Sequence, residues 1–178
     1  TYPLPEAQLD RFMFLVKVGY PSLDEEREIL RRTTSNATQE VERVVSAAEL
    51  EDLQRAVREM PAADEVLDFA LALSRGTRVR SGEPLPFVQQ YVTWGAGPRA
   101  GQNLILGAKA HAALAGRNHV SADDVRAVAH PVLRHRIVTN FTAQAEGITS
   151  DMVIDRLLEE VQLGGSVGAG VTGVKASS

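Results

Sequence analysis

Glu6-Ala7-Gln8-Leu9-Asp10-Arg11-Phe12, continued by Met13-Phe14-Leu15-Val16-Lys17-Val18, frames the whole chain. Pro5 suits the first turn of a helix and Glu6 complements its positive end, so a short helix up to Arg11 is expected. Phe12 to Val18 has the length and residue types of a buried strand. Arg11 would then stand at the mouth of a strand, held by a rigid element and exposed at its end. A guanidinium so placed can reach a phosphate, including one bound by a neighbouring molecule. It can equally be a solvated surface group paired with Asp10 or Glu6. Residue types alone leave both open.

A second stretch, Trp94-Gly95-Ala96-Gly97-Pro98-Arg99-Ala100, opens a long helix expected to run to about Ala115. Pro98 suits the first helical position, which puts Arg99 in the first turn. Free backbone N–H groups and positive potential collect there, and a guanidinium adds to them. Leu104, Ile105, Ala108, Ala112 and Ala115 form an apolar stripe that can anchor the helix while its start points outward.

These stretches carry a resemblance. Residues Thr1 to Phe12, followed by Gly19-Tyr20-Pro21-Ser22, resemble the segment after the sensor 1 strand in the MoxR family of AAA+ ATPases. Gly-Ala-Gly-Pro-Arg-Ala over 95–100 resembles that family's sensor 2 motif, usually Gly-Ala-Ser-Pro-Arg-Ala, with Gly97 in place of the serine. Ala112 to Val125 and Pro131-Val132-Leu133-Arg134-His135-Arg136 are similar to the lid's next turn, helix and closing run. The resemblance implies that Arg11 is the arginine finger, reaching the γ-phosphate of ATP on the adjacent subunit of a ring. It implies that Arg99 contacts the γ-phosphate of its own subunit's nucleotide, and that Tyr20 and Pro21 pass near the adenine. On residue types alone, Tyr20 and Pro21 are also a simple turn with a packed aromatic.

Bulk properties narrow the classes. A net charge of −4 gives no broad nucleic-acid footprint. There is no cysteine, hence no disulfide framework, thiolate nucleophile or Cys-based zinc site. No apolar run approaches the roughly 20 residues that span a bilayer, and the first residues lack a basic stretch followed by an apolar one, so no signal peptide is expected in them. A cytoplasmic location is expected. No Gly-x-x-x-x-Gly-Lys-[Ser/Thr] phosphate loop occurs, nor an apolar strand ending in paired acidic residues for magnesium. The chain opens inside a motif and without Met, so a C-terminal piece of a larger ATPase is expected, with ATP and Mg2+ bound largely by a core outside it.

The remaining pattern reads as helices. Ser22 with Glu25, Ser46 with Glu49 and Ser121 with Asp124 are capping pairs. The first opens a helix to about Arg32 with Leu23, Ile29 and Leu30 as candidate core positions. Val41, Val44 and Val45 suggest a short extended piece. Leu50, Leu53, Val57 and Met60 follow the second cap, and Pro61 ends that helix. A helix over 63–75 presents Val66, Leu67, Ala70, Leu71 and Leu73, with Gly76 as its C′ residue. Residues 77–92 and 139–150 read as loops, with a basic cluster of Arg75, Arg78 and Arg80 around the start of the first. Val125, Val128, Val132 and Leu133 are the apolar positions after Ser121, and Pro131 should kink or end that helix near His130. A last helix spans 151–163, with Met152, Val153, Leu157, Leu158 and Val161 on its apolar side. His130 and His135 lack the i, i+4 spacing of a helical metal pair. His111 and His119 read as helix-face and loop residues.

The expected fold is mainly α: a helical-bundle AAA+ lid with one residual β-strand from the ATPase core. Residues 1–21 would end that core, 22–163 form the lid and 164–178 a flexible Gly-rich tail. The resemblance implies ATP-driven, chaperone-like remodelling of protein complexes by a homo-oligomeric ring, a hexamer, with von Willebrand factor A-domain proteins as partners. A helical adaptor without nucleotide chemistry is the competing expectation. A DNA-binding helix-turn-helix is disfavoured by the acidic balance.

Overall fold

Pro98 begins the helix on which the rest of the main unit is built. The structure, a computed structural model, describes residues 4–35, 41–80 and 84–163. The tail expected over 164–178 lies outside these residues. The chain divides into two compact units, one of Thr1–Leu15 with Ala56–Ser178 and one of Val16–Arg55.

In the larger unit, α1 is Glu6–Leu9, α4 Asp64–Gly76, α5 Pro86–Tyr91, α6 Pro98–Leu114, α7 Ala122–Leu133, α8 Phe141–Ala145 and α9 Ser150–Glu160. α2, Leu23–Thr33, lies in the smaller unit, and the boundary falls inside α3, Ala47–Glu59. β1, Val92–Trp94, pairs antiparallel with β2, Val138–Thr139, through an irregular register.

The core is where the stripes meet. Phe69 and Leu73 of α4, Leu104 and Ala108 of α6, Val125 and Leu133 of α7, and Ile154 and Leu157 of α9 are all buried. α6 turns small residues inward, with Ala100, Gly107, Ala108 and Ala112 buried, which lets its neighbours approach closely. The ring of Phe14 packs at Gly107, where an added Cβ would lie 3.1 Å from Phe14 Cζ and 3.4 Å from Val128 Cγ2. In the smaller unit, α2 has a complete capping box: Ser22 Oγ accepts from the Glu25 amide, and the Ser22 amide donates to Glu25.

The fold class stands as expected, and several local expectations do not. Phe12–Val18 belongs to no strand. It lies in no sheet; in its first half Leu15 N donates to Pro131 O at 2.8 Å. The two strands arise instead at the edges of stretches read as loops, and those same stretches fold into α5 and α8. Asn140 caps α8 by accepting from the Ala143 amide. Leu23, Leu30, Leu50 and Leu53 are exposed rather than core: α2 and α3 carry no buried residue. A unit of this size has little interior of its own. Ile29, Val41, Val44 and Val45 are exposed as well, and the valines form no strand.

On α4 the buried stripe is Val66, Phe69, Ala70 and Leu73, leaving Leu67 and Leu71 on the outside. Ala115 and Met152 are likewise exposed. Gly76 is the last residue of α4 rather than a left-handed cap; an added Cβ there would meet Leu157 Cδ2 at 3.0 Å. Pro131 does not end its helix. It sits in the last turn of α7, and Arg134 N donates to His130 O at 3.0 Å beyond it, so one missing donor is tolerated.

Candidate functional site

Arg99 is set in place by a buried hydrogen-bond knot. Thr77, fully buried after α4, donates from Oγ1 to Ser74 O and accepts from Ala96 N, both at 2.8 Å. Arg78 Nε donates to Ala96 O at 2.8 Å from the other side. The loop Gly95–Gly97 is thus tied to α4, and Pro98 starts α6 immediately after it. Gly97 is the N-cap and supplies no side-chain cap, so the first turn is left open to an outside acceptor. Of the basic cluster expected around 77–92, Arg78 has this architectural task.

On the other side, the segment Asp10–Leu15 is clasped by Arg134, His135 and Arg136. Arg136, whose side chain is 1% exposed, donates from Nε to Asp10 Oδ1 at 3.0 Å. Its Nη2 donates to Asp10 O at 2.8 Å and Phe12 O at 2.6 Å, and its Nη1 reaches Val132 O and Met13 O. Arg134 Nη1 donates to Leu15 O at 3.3 Å. His135 Nε2 lies 3.1 Å from Phe12 O. Burial, then the charge of Arg136, pulls the His135 pKa below its usual value, so the ring is neutral at neutral pH with its proton on Nε2. His135 Nδ1 is buried and without a partner among the described residues.

The two sides meet at Asp10. Arg99 Nη1 donates to Asp10 Oδ2 at 2.7 Å, while Oδ1 is held by Arg136. One carboxylate therefore links both stretches singled out in the sequence. Arg11, the next residue, is exposed and has no ion-pair partner among the described residues. A cleft of about 330 Å³, lined by Glu6, Asp10, Trp94, Gly97, His135 and Arg136, opens beside them. A second cleft of about 340 Å³ shares Trp94 and Gly97 and adds Arg78 and Arg80.

The structure thus brings Arg99 to the neighbour of Arg11 in the chain. Tyr20, 99% exposed, and Pro21 belong to the smaller unit, just before the Ser22 cap. Asp10, Thr77, Gly95 and Arg136 are essential to this geometry and were not legible as such. Arg136 lay in a motif; Thr77 left no sequence signal. Among the described residues no group of three or more His, Asp or Glu could hold a metal ion.

Residues 87–157 match the sequence profile of the AAA lid domain. Over 163 residues the chain is 38% identical to chaperone MoxR1 of Mycobacterium tuberculosis, covering 92% of this chain and 43% of that protein. The chain belongs to the MoxR family of AAA+ ATPases. It is also 34% identical over 164 residues to the uncharacterized YeaC of Bacillus subtilis, covering 92% of this chain and 48% of YeaC. A candidate ATPase of Cytophaga hutchinsonii, solved by crystallography, is similar with a TM-score of 0.84 at 32% identity, over 91% of this chain and 49% of that one. The chain spans about half the length of the curated relatives it matches. AAA+ proteins generally use nucleotide and Mg2+ and usually form oligomeric rings. Among the described residues of this MoxR-family chain, no helix is long and apolar enough to cross a membrane.

Proposed function

We propose that this chain is the nucleotide-responsive lid segment of a ring-forming ATPase that remodels or matures protein complexes. Residues 1–21 would close the nucleotide-binding core and 22–163 form the lid. The observation that carries the reading is the Arg99–Asp10–Arg11 arrangement: an accessible guanidinium at an open helix start, held by the carboxylate of Asp10, the residue before an exposed arginine that has no ion-pair partner among the described residues. Both suit a terminal phosphate, which gathers negative charge as its bond to the leaving group breaks. ATP and Mg2+ would be held mainly by a core carrying the phosphate loop, with Tyr20 and Pro21 near the base. The bound nucleotide supplies the reacting phosphoryl group; Arg11 and Arg99 orient it and offset its charge. A hexamer, von Willebrand factor A-domain partners and a cytoplasmic location complete the proposal.

The hold of Asp10, the residue before Arg11, on Arg99 favours one shared phosphate. With Arg11 acting across a subunit boundary, Arg99 would act on that same neighbouring nucleotide rather than on its own subunit's. The test is Arg11→Ala in the full-length ring, which should cut ATP hydrolysis on the order of a thousandfold while nucleotide still binds. Rings mixed from Arg99→Ala subunits and subunits with a disabled phosphate loop should regain activity, because each defect is complemented by a neighbour. Full turnover in the Arg11 variant would remove the catalytic reading, and silent mixed rings would return Arg99 to its own subunit's site. The adaptor reading draws on one observation, that Arg99 already has a carboxylate partner.

A further inference from the structure

Asp10 is held differently on its two oxygens. Oδ1 receives Arg136, whose side chain is buried and whose remaining donors are spent on the carbonyls of Asp10, Phe12, Met13 and Val132. That side cannot move without breaking the clasp. Oδ2 receives Arg99, whose side chain is 47% exposed and has no other carboxylate partner among the described residues. A half-exposed pair of this kind is weak and readily exchanged. A phosphate brings more charge and more acceptor oxygens than a carboxylate.

We propose that Asp10 is a positioning residue that acts as an internal stand-in for the terminal phosphate, holding the Arg99 guanidinium until nucleotide displaces it. This rests on the phosphate reading of Arg99 given above. Before ATP arrives, Asp10 keeps Arg99 directed at the segment that carries Arg11. When ATP arrives, Arg99 transfers to the terminal phosphate. Asp10 stays on Arg136 with Oδ2 released, and the backbone next to Arg11 loses one tether. ADP, lacking that phosphate, leaves Arg99 on Asp10. The contact thereby distinguishes the two nucleotides and reports the difference to the residue beside the arginine finger.

The experiment compares Kd for a non-hydrolysable ATP analogue and for ADP in the full-length ring, in the wild type, Asp10→Asn and Arg99→Ala. Asn keeps the shape and an oxygen for Arg136 but not the competing charge. Asp10→Asn should raise the preference for the analogue over ADP by about fivefold, the scale of an exposed ion pair. Arg99→Ala should lower that preference. An unchanged preference in Asp10→Asn together with a lowered one in Arg99→Ala overturns the stand-in role and leaves the phosphate reading intact. An unchanged preference in Arg99→Ala overturns both. Should Asp10→Asn fail to fold, nitrogen-15 NMR of the wild-type Arg99 side chain decides. Its Nε signal should shift with the analogue and not with ADP, and identical spectra overturn the proposal.

Discussion

The carbonyl oxygen of Thr77 fills the space in which a side chain at Gly95 would begin. Any Cβ there collides with Thr77 backbone rather than with a movable side-chain tip. Gly95 is therefore required by a close approach, and that approach lets Thr77 Oγ1 receive the Ala96 amide at 2.8 Å.

Gly95→Ala should push the loop off α4 and cost about 1–3 kcal/mol, the usual scale of forced overpacking. Urea unfolding measures this. Gly97, two residues on, has nothing within 4 Å of an added Cβ and an ordinary φ of −74°. Gly97→Ser supplies the missing N-cap hydroxyl and should stabilise by a few tenths of a kcal/mol. Equal effects at the two glycines would show that the Thr77 contact is unimportant.

Arg136→Met should release the segment Asp10–Leu15 from α7. It leaves Asp10 with Arg99 alone and takes a donor from four backbone carbonyls, so a loss of about 3 kcal/mol is expected for a broken, largely buried pair. Hydrogen exchange localises the effect: the Leu15 amide, bonded to Pro131 O at 2.8 Å, should lose its protection while amides in the middle of α6 keep theirs. Uniform loss across both would mean that Arg136 supports the whole fold.

Asp124 gives the pH dependence. Its buried carboxylate takes Arg117 in a bidentate pair, His111 Nδ1 at 2.7 Å and the Ser121 amide at 2.9 Å. Arg117, then His111 and Ser121, hold its pKa well below the usual carboxylate value of 3.8 against the opposing effect of burial. A folded-state pKa below the unfolded one means that the unfolded chain binds the extra proton first. The stabilisation is therefore present above about pH 4 and lost as pH falls through the folded value. Asp124→Asn should be less stable than wild type at pH 7, with the gap narrowing below pH 4 in thermal melts. A gap independent of pH would assign the loss to shape alone.

Legibility followed the range of the interactions. Capping pairs act over three residues, so Ser22, Ser46 and Ser121 marked helix starts that the structure keeps. Pro98 did the same for α6. Buried stripes on α4, α6, α7 and α9 were partly visible, because periodicity gives the spacing of a stripe but not the face that meets a partner. Periodicity alone places Leu67 and Leu71 inward for that reason. α5 and α8 were missed because each is under two turns long, too short for periodicity to register, and each is held by packing on its neighbours.

What the chain alone determined was local: where helices begin and, through two arginine-bearing motifs, the AAA+ family. What the tertiary structure decided was pairing. A strand needs a ladder, and Phe12–Val18 lies in no sheet; arginine and histidine side chains hold its first half instead. The choice of Asp10 as the acceptor for Arg99, 89 positions away, is of the same kind. No spacing rule connects residues that far apart; only the packing of α6 and α7 brings them within hydrogen-bond distance.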